Sequence, residues 1–110
     1  MSETSEVTRP TVDALNCIPG VIAIRIQAGR VKSRGGGWMQ LAEPGSPDVI
    51  AVVKGLAVFF ECKAPKGLVS EEQLAWHARA RRAGAVVVVI RKPSAAVDVV
   101  RKILNGQEVA

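Results

Sequence analysis

The chain has 110 residues, enough for one domain around one modest core. Apolar residues make up 48% of it, which excludes wholesale disorder, and its few aromatic residues (Trp38, Phe59, Phe60 and Trp76) argue against a binder that stacks bases on rings. The net charge of +5 is concentrated in residues 21–40, with Arg25, Arg30, Lys32 and Arg34 and no acid, and in residues 81–110, where Arg81, Arg82, Arg91, Lys92, Arg101 and Lys102 face only Asp98 and Glu108. Such clusters suit a polyanionic partner, nucleic acid being the commonest, or simply a solvated surface.

Two cysteines, Cys17 and Cys62, with no CxxC and no Cys/His cluster, exclude a disulfide scaffold and a zinc site. The N-terminal MSETSEVTRP has no apolar signal core, and the longest aliphatic run, Ala85 to Ile90, is too short to span a bilayer. The expectation is a cytoplasmic protein with no membrane partner.

In chain order, residues 1–9 are polar and read as loose. Thr11 to Cys17 predicts a short helix, with Pro10 acceptable in its first turn, and Pro19-Gly20 ends it. Val21 to Gln27 alternates as a strand, with Ile22, Ile24 and Ile26 on one face and Val21, Ala23, Arg25 and Gln27 on the other. Residues 29–46 are rich in Gly and basic side chains, including Gly35-Gly36-Gly37, and read as a mobile functional loop. No G-K-[ST] follows those glycines, so they are not a P-loop.

Val49–Val53 and Leu56–Cys62 are apolar runs around Lys54-Gly55, a hairpin signal. Their continuous apolar character predicts a sheet buried on both faces. Ser70-Glu71-Glu72-Gln73 is a capping box opening a helix to about Ala83, stopped by Gly84. Ala85 to Ile90 predicts a buried strand, and Pro93-Ser94 opens a last helix to about Leu104. The whole predicts a single α/β domain over 1–110, a mixed sheet covered by helices.

A two-residue turn at Lys54-Gly55 pairs Val53 with Leu56, Val52 with Ala57, and so outward to Asp48 with Glu61. Opposed residues have Cβ atoms about 5 Å apart on one face. Two carboxylates so placed repel and lose hydration, and a divalent cation between them removes both problems. Oxygen ligands of this kind suit Mg²⁺ or Mn²⁺. Lys63, two residues beyond Glu61, falls on the same face, where its ammonium can approach a scissile phosphate or an attacking water. Cys62 turns its side chain away and offers the metal only its main-chain carbonyl.

Gly45-Ser46-Pro47-Asp48, then Glu61-Cys62-Lys63, then Ser70 and Gln73, resembles the G-x-P-D … E-x-K … S-x-x-Q signature of the VRR-NUC family. That family belongs to the PD-(D/E)XK nuclease superfamily, which includes the archaeal Holliday junction resolvases. The resemblance runs from about Gly45 to Val100, and more faintly back to Arg25. It implies a restriction-endonuclease-like fold. It also implies a metal bound by Asp48, Glu61 and the carbonyl of Cys62, with Lys63 assisting hydrolysis. Stand-alone members of this size, common in phages, resemble structure-selective nucleases that act as homodimers on branched or four-way DNA and leave a 3′-hydroxyl and a 5′-phosphate.

The resemblance places Gln73 near the site, orienting Lys63 or a phosphate oxygen; the residues alone read it as the partner of Ser70 in the cap. It also calls for a Glu on the first helix. Glu6 is the choice and Glu3 the alternative, and either reads equally as an acid beside a helix N-terminus. Arg25, Arg30, Lys32, Arg34 and Lys66 are the candidate phosphate contacts. Trp38 reads as a wedge at a junction or as loop packing, Trp76 as core, and His77 as a surface or packing residue. The rival readings are a non-catalytic DNA-binding module of the same fold, or an interaction protein whose basic loop docks on an acidic partner.

Overall fold

The computed structural model describes residues 4–26, 30–32, 34–40 and 42–109, with the side chains of 4–5, 30–32 and 38–40 left out. The hairpin lies at its centre. Strands β1 (Val21–Arg25), β4 (Val49–Val53), β5 (Leu56–Cys62) and β6 (Val86–Ile90) form a sheet in the order β1-β4-β5-β6. The β4–β5 turn is the predicted one: Lys54 and Gly55 both have positive φ, 51° and 76°, and the register runs from Val53 with Leu56 to Val49 with Phe60. Lys54 is held in this unusual conformation with its Nζ donating to the Leu104 carbonyl at the end of the last helix (2.9 Å).

β1 pairs antiparallel with β4, and β6 pairs parallel with β5 after the crossover helix α2 (Glu71–Arg82). Strand alternation gives the sheet two different faces. Val49, Ala51 and Val53 of β4 and Val58, Phe60 and Cys62 of β5 point into a core completed by Leu15 of α1 (Arg9–Asn16) and by Ala96 and Val100 of α3 (Pro93–Leu104). The opposite face meets α2, where the Trp76 ring stands edge-on to Phe59 with centroids 5.0 Å apart.

The structure differs from the sequence reading in three places. Residues 4–8 form one π-helical turn leading into α1, and Val7 and Thr8 are buried, so this stretch is a packed part of the domain. The region read as a single loop holds a two-stranded antiparallel ribbon, β2 (Arg30–Lys32) with β3 (Trp38–Gln40). The glycine triplet masked short β-forming runs on either side of it. The sheet, read as buried on both faces, is open on one side at β1 and β4: Val21 and Ala23 face the core, while Ile22, Ile24 and Val52 point outward, 68%, 58% and 47% exposed.

Asn16, at the end of α1, closes the outer edge of β1. Its Nδ2 donates to the Ala23 carbonyl and its Oδ1 accepts the Ala23 N–H, both at 2.9 Å. Among the described residues no helix is long and apolar enough to cross a membrane.

Candidate active site

Asp48 sits where the β4–β5 ladder ends, and three hydrogen bonds hold it. Its N–H donates to the Phe60 carbonyl (3.2 Å), and its carbonyl accepts the Ile26 N–H (2.6 Å). Its carboxylate Oδ2 accepts the main-chain N–H of Cys62 (2.7 Å). Phe60 is already the register partner of Val49. Two residues of β4's leading end therefore answer one of β5, in the manner of a β-bulge. Asp48 is thus not the plain cross-strand partner of Glu61 that a continuous ladder would make it. The segment that delivers it turns sharply: Pro47 has no N–H, and that of Ser46 turns back to the Glu43 carbonyl (3.1 Å).

That turn rests on α2. Gly45 has φ +86°, and a Cβ there would lie 2.6 Å from the Glu72 carbonyl oxygen, so only glycine lets the chain pass so close to the helix. Glu43 adds an ion pair with Arg79 (2.6 Å) that is exposed and so contributes little to stability.

Glu61 is 1% exposed, on the face of β5 that meets α2. A carboxylate buried to that degree is costly unless it is hydrogen-bonded. Two successive turns of α2 supply partners: Gln73 Nε2 donates to Oε2 (3.2 Å), and His77 Nε2 lies 3.0 Å from Oε1. Gln73 also completes the capping box, its Oε1 accepting the Ser70 N–H while its own N–H donates to Ser70 Oγ. Capping and contact with Glu61 therefore coexist in one side chain. Burial first, then the charges of Arg81 and Lys63, hold the His77 pKa below its ordinary 6.5. His77 is buried and polar-bonded where the sequence suggested a surface or packing residue. The available signal was its spacing of four from Gln73, one helical turn on the same face.

Lys63 is the next residue on that face and is only 9% exposed. Its N–H donates to the Ile90 carbonyl (2.9 Å), carrying β5's pairing with β6 one step past the strand. Cys62 has its side chain in the core, fully buried. Arg91 braces the loop that follows, its Nη1 lying 2.8 Å from both the Ala64 and the Gly67 carbonyl oxygens. Arg81 similarly donates to the Val87 carbonyl (2.8 Å). Two cations of the C-terminal basic cluster thus have main-chain partners.

The donors at this end of the sheet are hard oxygens: the Asp48 and Glu61 carboxylates and the Cys62 carbonyl. That set fits a divalent cation such as Mg²⁺ or Mn²⁺ and does not fit zinc in a structural site. Among the described residues, no three His, Cys, Asp or Glu side chains gather into a metal-holding group. Glu6 is exposed and does not join Asp48 and Glu61 in such a group; Glu3 lies outside the described residues. Arg25, Arg34 and Lys66 are exposed. Arg30 and Lys32 belong to β2, and their side chains lie outside the described residues, as does that of Trp38.

No known family's sequence pattern matches the chain, and no curated protein matches it. Its fold, however, is shared. A solved structure described as "VRR_NUC domain" superposes with a TM-score of 0.63 at 18% identity, over 92% of this chain and 97% of that chain. The chain therefore has a restriction-endonuclease-like α/β fold, that of a VRR_NUC domain.

Proposed function

We propose that this chain is a VRR-NUC endonuclease that hydrolyses phosphodiester bonds in branched or four-way DNA with Mg²⁺ or Mn²⁺. The observation that carries this reading is the bond from the Cys62 N–H to the Asp48 carboxylate. It ties one acid to the main chain between a second acid, Glu61, and a base, Lys63, at one end of a sheet with the VRR_NUC fold.

Asp48, Glu61 and the carbonyl of Cys62 would hold the cation. Bound there, it supplies Lewis-acid polarisation of the phosphate and a lowered pKa for water. Lys63 places a positive charge beside the two acids, where it stabilises the charge that develops on the phosphate oxygens. Its small exposure makes that charge count for more than it would in water. Gln73 holds Glu61 in place and the helix start against the site. Arg25, Arg34 and Lys66, with Arg30 and Lys32 of the ribbon, grip backbone phosphates and give affinity without reading sequence. Glu6 would add a carboxylate if the first turn closed over the site. A homodimer fits the outward side of the sheet, where Ile22, Ile24 and Val52 are exposed on neighbouring strands. The setting we infer is the cytoplasm, of a phage host if the gene is phage-borne.

The test uses linear, flapped and four-way DNA with and without Mg²⁺ or Mn²⁺. The wild type is expected to cut branched DNA only when metal is present, and Asp48→Ala and Lys63→Ala to bind DNA without cutting. Cleavage that persists in Asp48→Ala would place the reaction elsewhere.

A further inference from the structure

His77 is the single histidine of the chain, and the reading above gives it no task. It is 1% exposed, and its Nε2 is 3.0 Å from Glu61 Oε1. With Glu61 ionised, as a metal ligand must be, its carboxylate only accepts hydrogen bonds and Nε2 carries the proton. Gln73, one helical turn earlier, bonds the other oxygen, Oε2. One donor on each oxygen fixes the plane of the carboxyl group, because turning it breaks both bonds at once. We propose that His77 is a positioning residue for the cation site: with Gln73 it sets the orientation of Glu61 before an ion arrives, and the affinity for Mg²⁺ or Mn²⁺ depends on it. This rests on Glu61 being a metal ligand, as the nuclease reading has it.

Three features favour a positioning role over mere filling. Both donors come from one helix, whose first turn is fixed by its own capping box between Ser70 and Gln73. The Gly45 turn that delivers Asp48 lies against the same helix at Glu72. Moreover, a buried side chain that only filled space at this point would be apolar, since a buried imidazole must be hydrogen-bonded to be tolerated. α2 therefore acts as a common brace for both acids. A hydrogen-bonded partner behind a metal ligand is the usual device for presenting that ligand, and its loss weakens metal binding.

Reach separates the two roles. Gln carries its amide nitrogen as many bonds from Cα as the Nε2 of His, whereas Asn falls one bond short. Mn²⁺ binding is measured by calorimetry on the full chain for wild type, His77→Gln and His77→Asn, with thermal melting of each. His77→Gln is expected to bind Mn²⁺ nearly as the wild type does, and His77→Asn to bind roughly 10–100-fold more weakly. His77→Asn binding as tightly as His77→Gln overturns the inference. If neither variant folds, the wild type decides by nitrogen NMR of its one imidazole. The Nε2–H tautomer with resonances that move on adding Mg²⁺ is expected, and resonances unmoved while Mg²⁺ binds overturn the proposal. A wild type that binds neither ion removes the nuclease reading together with this one, whereas the other adverse outcomes remove this one alone.

Discussion

The carboxylate of Asp48 accepts the main-chain N–H of Cys62 at 2.7 Å, so a side chain of one strand takes over where the ladder between β4 and β5 stops. This bond does two things. It satisfies an N–H at the end of a buried strand, which is otherwise costly. It also fixes the Asp48 carboxylate to the peptide flanked by Glu61 and Lys63, so the relation among the three rests on main chain more than on flexible side chains. The bulge at Asp48 makes this possible, because bending the strand re-aims its side chain.

Asp48 therefore has a structural and a proposed chemical role, and two substitutions part them. Asp48→Asn keeps an oxygen for the Cys62 N–H but loses the charge. Asp48→Ala loses both, and without metal is expected to be about 1–3 kcal/mol less stable than the wild type, with Asp48→Asn close to it. At an Mn²⁺ concentration of about 100 times its dissociation constant, the wild type should gain about 2.7 kcal/mol, and neither variant should gain as much. Urea melts with EDTA and with Mn²⁺ read both numbers. An Asp48→Asn variant stabilised by Mn²⁺ as much as the wild type would show that this acid holds no ion.

Gly45 and Gly20 have nearly the same φ, +86° and +82°, but different surroundings. Alanine at 20 meets nothing within 4 Å and should cost only the backbone strain, about 1–2 kcal/mol. At 45 the new Cβ collides with the Glu72 carbonyl, adding about 1–3 kcal/mol and displacing the turn that carries Asp48. Denaturant midpoints should rank the two, and only Gly45→Ala should also slow cleavage. Equal losses at the two sites would mean that contact with α2 is dispensable.

Asn16 occupies both hydrogen-bonding groups of Ala23 on the outer edge of β1. Asn16→Ala is expected to cost about 1–3 kcal/mol and to leave an open strand edge between two exposed isoleucines. Light scattering during refolding should show more association than in the wild type. Refolding as clean as that of the wild type would mean the edge is protected by something else.

Thr11 is fully buried in α1, and its hydroxyl has no hydrogen-bond partner among the described residues. Valine has the same shape without the polar atom. Thr11→Val should therefore raise stability by about 1 kcal/mol, measured by urea denaturation. A loss of stability would point to a partner for that hydroxyl.

Much of the fold was legible because it is written in short-range chemistry. Lys54-Gly55 specifies its turn by the backbone angles that the turn demands, Ser70 and Gln73 cap α2 from three residues apart, the spans of β4 and β5 follow from apolar runs on either side of that turn, and α3 from Pro93-Ser94 at its start and Asn105-Gly106 beyond its end. The candidate acids follow from counting outward from the two-residue turn, a count that holds from Val53 with Leu56 to Val49 with Phe60 and that the bulge at Asp48 then breaks.

What the chain's order did not disclose depends on elements that meet only after folding. Alternation divides β1 into two faces, but whether the isoleucines or Val21 and Ala23 are covered is settled by where α1 and α3 come to rest. The bulge at Asp48 arises from its bond to Phe60, and the place of His77 from a contact with Glu61 across 16 positions of sequence. Local sterics and side-chain period act between near neighbours, so sequence alone determines them. Which buried donor meets which acceptor is chosen by the packing of distant segments, and only the tertiary structure decides that.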